Sequence, residues 1–174
     1  NYKPLQTFEL QDVLFGDHKN DTLFFCGSID FKLAGFKLDS TQFRLSDVKV
    51  DRAYCNVVFY KDNTFNIDVL FNILDPNDTL PSNGPPFVLY FDKVKLTNTR
   101  FRFRNETDTS VCENFAANDQ LFYNINADAD DFYIIQDSLH FNISHLDLME
   151  RSGFKANHIQ SLVTISPSCM LFDS

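Results

Sequence analysis

Apolar residues in this chain alternate, skip one position, and alternate again. In FELQDVLF (8–15) the apolar positions are Phe8, Leu10, Val13 and Phe15. The same spacing returns as Phe43, Leu45, Val48 and Val50 in FRLSDVKV, as Leu89, Phe91, Val94 and Leu96 in LYFDKVKL, and as Phe141, Ile143, Leu146 and Leu148 in FNISHLDL. Alternation predicts a strand with one buried face. A one-residue skip would turn that face over unless the strand bulges there, so each unit predicts a bulge. Asp12 and Asp47 fall at two of these skips and are read as markers of a bend.

Between the units, Leu23, Phe25, Ile29, Phe31 and Leu33 form a returning strand interrupted near Gly27, and Tyr54 to Tyr60 is a β-prone run. Phe101 and Phe103 continue the third unit, with Arg100, Arg102 and Arg104 on the opposite side. Residues 122–135 and 162–172 add further strand character, and 106–120 read as a loop. Ile67, Leu70, Phe71 and Leu74 fall at i, i+3, i+4 and i+7 and predict one short helix around 65–74, with Asn63 or Thr64 as its N-cap. A Pro-rich loop follows at 75–87. The mostly short connections predict antiparallel neighbours, and strands do not alternate with long helices, which counts against a parallel α/β sheet. The expected fold is mainly β, an elongated, curved antiparallel sheet of repeated strand units shaped like a trough, in a single domain over 1–174.

Composition sharpens this. The 174 residues hold 20 Phe and no Trp, a bias that suits an apolar face or groove as well as a compact core. A net charge of −9 opposes binding to nucleic acid and docking on anionic lipid heads. No 18-residue apolar run exists to span a membrane, and the start, NYKPLQTFEL, is unlike a signal peptide. The chain opens without Met and reads as a piece of a longer one, whose anchor would lie elsewhere. Cys26, Cys55, Cys112 and Cys169 are widely spaced, with no metal or redox motif, and read as isolated thiols; their disulfide pairing stays open.

Candidate chemistry is sparse. Asn126, Asp128 and Asp130 share one side of a strand but lack the Gly and closing Glu of a calcium loop, so they read as a solvated face. His18, His140, His145 and His158 show no metal spacing, and His140 and His145, five apart, would sit on opposite faces of a regular strand. Nucleophile-elbow, phosphate-loop and dinucleotide motifs are missing, so no enzyme, metal or cofactor is expected. The arginine triplet reads as the outer face of an edge strand, the alternative being an anion contact. Asn20, Asn77, Asn105 and Asn142 head N-x-[ST] sequons.

Three stretches taken together are similar to one family. FELQDVLFGDHKNDTLFF supplies Leu10, Asp12, Val13, His18, Asn20, Asp21, Thr22 and Leu23; DNTFNIDVLFNIL supplies Asn66, Ile67 and Leu70; HLDLMERSGFKANHIQSL supplies Leu148, Glu150, Arg151, Ser152, Gly153 and Phe154. In this order they resemble the TamB/AsmA-like proteins of the Bacteroidetes cell envelope. The matched motifs are structural, none catalytic. The family's N-terminal membrane helix has no counterpart here, in keeping with a fragment. The resemblance implies a trough-like sheet with an apolar interior. The parent protein would be anchored in the inner membrane and cross the periplasm. Its cargo would be phospholipid moving towards the outer membrane, with a barrel-assembly protein as a possible partner. Phe8, Leu10, Phe43, Leu45, Leu89, Phe91, Phe141 and Ile143 would line the groove. Two other readings are a non-catalytic spacer or protein-interaction module of the envelope, and a secreted carbohydrate-binding sandwich, which the lack of Trp disfavours.

Overall fold

The computed structural model of the chain describes residues 7–37, 42–69, 88–110, 115–135, 138–166 and 169–173. The helix expected at 65–74 falls partly outside them. Phe65 forms an isolated bridge to Phe59, residues 66–67 turn and 68–69 are helical; 70–74 and the Pro-rich loop at 75–87 lie outside the described residues.

Nine strands make one open sheet: β1 (Thr7–Gly16), β2 (Thr22–Lys37), β3 (Gln42–Phe59), β4 (Val88–Asn105), β5 (Asp119–Ile135), β6 (Ser138–Glu150), β7 (Lys155–Ala156), β8 (Ser161–Ser166) and β9 (Cys169–Asp173). Their order is β1-β2-β3-β4-β5-β6-β8-β9, with β7 beside β6. The sheet is neither closed nor strongly curled. All pairs are antiparallel except β3–β4. That parallel pair needs the long connection between residues 59 and 88, because a tight hairpin joins only antiparallel strands.

The parallel junction sets two of the repeated units side by side in matched register. Phe43 faces Leu89, Leu45 faces Phe91, Val48 faces Val94 and Val50 faces Leu96. Each apolar position therefore packs against its counterpart.

The strands depart from regular geometry at the four skips, but the pairing register shifts only at those of the second and fourth units. Asp12 and Asp47 both adopt φ 50°, the left-handed region that Asp and Asn tolerate better than most residues. The skip in the third unit, Asp92–Lys93, lies opposite Asp131 on β5, also left-handed at φ 51°. In the fourth unit Ser144 is the extra residue, since Asp128 pairs with His145 while Ala129 pairs with Ile143. A second set was not legible as skips: Arg52 at φ 53°, Asn98 at φ 51° and Asn124 at φ 51°. Together with Asp12 and Gly27 these positions form one line of interrupted pairing across β1 to β5. At Gly27 a Cβ would stand 2.8 Å from Arg52 Nε. The guanidinium is the mobile end of an exposed side chain, and the pair it makes with Asp51 is worth little. Gly27→Ala is therefore expected to leave stability unchanged, or raise it by up to about 0.5 kcal/mol through lost strand-glycine entropy. Thermal unfolding checks this; a loss above about 1 kcal/mol would show that Arg52 is fixed in place.

Few side chains are fully buried: Leu23, Val58, Val163, Asn66 and Cys26 are the largest. The accessible surface is 11875 Å², whereas a compact monomer of this mass exposes about 8,700 Å². The surplus follows from the architecture. A sheet normally buries one face under a second layer, and the described residues form only one.

Candidate functional site

These irregularities return the apolar positions of the repeated units to one face. One rung runs Leu10, Ile29, Val50, Leu96, Ala127, Leu146 across six strands. Another runs Phe43, Leu89, Ile134, Leu139, Ile165. Phenylalanines join neighbouring strands at Phe8–Phe31 (5.2 Å between ring centres), Phe91–Phe132 (5.1 Å), Phe132–Phe141 (5.4 Å) and Phe101–Phe122 (6.3 Å). These distances suit aromatic contact. Lateral packing leaves most of these side chains half-buried, and on the edge strand Phe8, Leu10 and Phe15 are 38–48% exposed.

All eight side chains expected to line a groove lie on this face. Phe43 and Leu89 are direct partners, as are Leu45 and Phe91; Phe141 reaches them through Phe132, and Ile143 faces Ala129. Leu10 belongs with Val50 and Leu96 rather than with Leu45, because β2 lies between β1 and β3 and the turn at 17–21 sets a different stagger. The expected groove lining leaves out Phe31, which the alternation of the returning strand names, and Phe24, Phe122 and Phe132; in β2 the structure puts Phe24 beside Phe15, where the alternation predicts Leu23 and Phe25. The surface is an open face rather than an enclosed groove.

The opposite face is polar, and its charges are largely paired: Lys32–Asp47 at 2.8 Å, Arg44–Asp92 at 2.7 Å, Lys95–Asp128 at 3.4 Å, Arg104–Asp21 at 2.6 Å. Two clefts of about 530 and 430 Å³ indent it around Asp30 and Lys49. The arginine triplet is not on an edge; β4 lies inside the sheet. Arg102 makes two bonds to Asp119, at 2.8 and 2.9 Å, which raises the guanidinium's pKa and holds the Asp119 carboxyl below its usual range. Asp119 also receives Arg151. These contacts leave Arg102 and Arg104 bound to carboxylates and ill suited to a further anion.

Asn126, Asp128 and Asp130 share the polar face as expected, but Asp128 carries Lys95 and Asn126 Oδ1 accepts the Asn98 N–H. Among the described residues no group of three His, Cys, Asp or Glu side chains is placed to hold a metal. The bulge at Ser144 overturns one expectation: it brings His145 to the same face as His140. Tyr90, Tyr133 and His140 stack in a row across β4, β5 and β6. Their ring faces are turned on one another, which removes the flat platform that a sugar would use. The thiols of Cys26 and Cys55 are pushed up in pKa by burial, so neither is primed as a nucleophile; Cys26, Cys55 and Cys169 are unpaired in disulfides, and Cys112 lies outside the described residues.

Most of the motif residues among those described lie at one end of the sheet, where β1, β3, β4 and β6 all finish; Leu10, Asp12 and Val13 lie farther in. In the β1–β2 turn Asp17 Oδ1 accepts the N–H groups of Lys19 (2.8 Å) and Asp21 (2.9 Å), and Asn20 takes φ 63°. The Tyr60 hydroxyl donates to Asp17 Oδ2, and Lys19 Nζ sits 3.6 Å from the centre of the Tyr60 ring. After β6, the Glu150 carboxylate accepts the Ser152 N–H at 2.7 Å and the Ser152 hydroxyl, and Gly153 at φ 100° closes the turn. Leu23 and Asn66, also motif residues, are fully buried between these turns and β3. These residues build the end of the sheet and present no reactive group. Comparison of the chain with family models, curated proteins and solved structures finds no match.

Proposed function

We propose that the chain is a segment of a TamB/AsmA-like envelope protein, and that its apolar face binds phospholipid acyl chains and passes them along the sheet. The observation that carries this is a face apolar across seven strands, β1 to β6 and β8, with no second layer over it among the described residues. Burying acyl chains there gains about 0.8 kcal/mol per CH₂, and a continuous apolar patch of this extent marks an interaction surface. The line of bulges supports the finer shape, a sheet bent into a shallow trough around its cargo. In this reading the parent protein is anchored in the inner membrane, crosses the periplasm and works alongside outer-membrane barrel assembly. No helix of the described residues is long and apolar enough to cross a membrane.

The test is lipid capture. Purified protein is incubated with vesicles of phosphatidylethanolamine and phosphatidylglycerol, re-isolated, and examined by native mass spectrometry. Bound phospholipid is expected in the wild type, with a several-fold loss in Phe91→Asp and in the edge variant Leu10→Glu, whose side chain is already 47% exposed and whose fold is therefore least disturbed. A wild-type chain that emerges lipid-free, or variants that keep the full load, would favour the spacer or interaction-module reading instead.

A further inference from the structure

On the polar face, β6 and the segment after β7 bring two imidazoles together. His145 Nδ1 and His158 Nδ1 are 3.3 Å apart, and the ring centres 5.4 Å. One carboxylate organises both residues. Asp147 Oδ2 lies 3.1 Å from His145 Nε2, and Asp147 Oδ1 accepts the backbone N–H of His158 at 2.8 Å. His158 itself is left-handed, at φ 60°. The segment is held further by the Ile159 N–H on Leu146 O (3.0 Å) and by Gln160 Nε2 on Ser144 O (3.0 Å).

Two features suit this pair to chelation. Asp147 at Nε2 favours the tautomer with its proton there, which leaves the Nδ1 lone pair of His145 directed at His158; a carboxylate behind a histidine is the usual support for a metal-binding imidazole. The spacing also fits. Two imidazole nitrogens, each about 2.0–2.1 Å from a tetrahedral zinc, stand about 3.3–3.4 Å apart with ring centres about 5.2 Å apart. The observed 3.3 and 5.4 Å need only a small ring rotation. A hard cation such as Mg²⁺ would find too few oxygens.

We propose that His145 and His158 form a two-imidazole site for a borderline divalent metal such as Zn²⁺, Cu²⁺ or Ni²⁺, with Asp147 as positioning residue and water completing the shell. In the metal-free pair the His158 Nδ1–H donates to His145 Nδ1. Loading moves that proton to His158 Nε2 through solvent, so both Nδ1 lone pairs face the ion. The site ties the segment after β7 to the middle of β6 and is independent of lipid at the other face.

The probe is zinc chloride, titrated into the reduced wild-type chain at pH 7.5 and followed by imidazole proton resonances and calorimetry. The expected result is a joint shift of the His145 and His158 signals with a distinct one-ion phase. That phase disappears in His145→Ala and in His158→Asn, the latter chosen because asparagine keeps the left-handed backbone. His140→Ala retains it, since His140 is engaged by Thr164 and Tyr133. Asp147→Asn keeps the stoichiometry and binds about 10–100-fold more weakly. Circular dichroism checks each variant's fold. Unmoved His145 and His158 resonances at millimolar zinc, or an unchanged one-ion phase in a folded His145→Ala or His158→Asn chain, would overturn the proposal.

Discussion

Replacing Asn66 by leucine is expected to lower the unfolding free energy by about 2–6 kcal/mol, a large effect for an uncharged residue outside the strands. Strand β3 outruns its neighbour: β2 begins at Thr22, and the β2–β3 pairing reaches only Cys55. The next backbone groups of β3 would be buried without partners. Asn66 supplies them. Its Oδ1 accepts the Val58 N–H at 2.9 Å, its Nδ2 donates to Asn56 O at 2.6 Å, and its backbone N–H donates to Val58 O at 3.0 Å. The side-chain amide thus acts as one peptide unit of a missing strand. Leucine fills similar space but leaves one buried donor and one acceptor unsatisfied, at about 1–3 kcal/mol each. Urea unfolding at constant m-value measures the loss, and amide exchange at Val58 should quicken with it. A change below about 1 kcal/mol would mean that water reaches these groups.

The second large effect is a two-sided pH dependence centred on Tyr60. Burial opposes charge on Asp17, but the Tyr60 hydroxyl and the amides of Asp21 and Lys19 outweigh it, and the carboxyl is held below its usual range. Burial and the Asp17 carboxylate raise the Tyr60 pKa in turn. The depressed Asp17 contributes stability that is complete above about pH 4, its unfolded value, and is lost as pH falls through the lower folded value. The raised Tyr60 contributes stability that is complete below about pH 10 and is lost as pH rises towards its folded value. Tyr60→Phe should therefore cost about 1.5–3 kcal/mol near neutrality, the range of a charge-assisted bond between buried partners. The gap between wild type and variant should narrow below pH 4 and again above pH 10. Unfolding free energies measured across that range would refute the coupling if the two curves ran parallel.

Much of the architecture is legible in the sequence because alternation and its interruptions are local. The skips at Asp12 and Asp47 mark where the backbone turns left-handed, one of the ways in which a strand keeps its apolar positions on one face. Arg52 and Asn98 escaped notice for a related reason. They fall where one apolar unit gives way to the next, Val50 to Ala53 and Leu96 to Thr99, and a break between units resembles ordinary irregularity. The parallel β3–β4 pairing was hidden because it depends on a long connection, whereas periodicity reports only on neighbours along the chain. The arginine triplet read as an edge for the same reason: β4 is interior only because β3 docks beside it. Of the apolar surface, the four repeated units revealed half, and the intervening strands β2 and β5 supply the rest. The pairing of His145 with His158 needed the bulge at Ser144 and the return through β7, and no spacing rule contains either.

The left-handed positions also explain a compositional oddity. The chain holds 20 Asp against 4 Glu. Among the described residues nine non-glycine positions have positive φ, of which three are Asp and four are Asn. A short side chain that can bond to its own backbone tolerates that conformation, and glutamate gains no such relief. Other aspartates, such as Asp17, Asp62 and Asp108, accept N–H groups within their own turns. Part of the acidity, six of the 20 Asp, is thus tied to backbone shape. Exchanging Asp12, Asp47 and Asp131 for asparagine would therefore raise the isoelectric point while leaving the outline of the sheet in place.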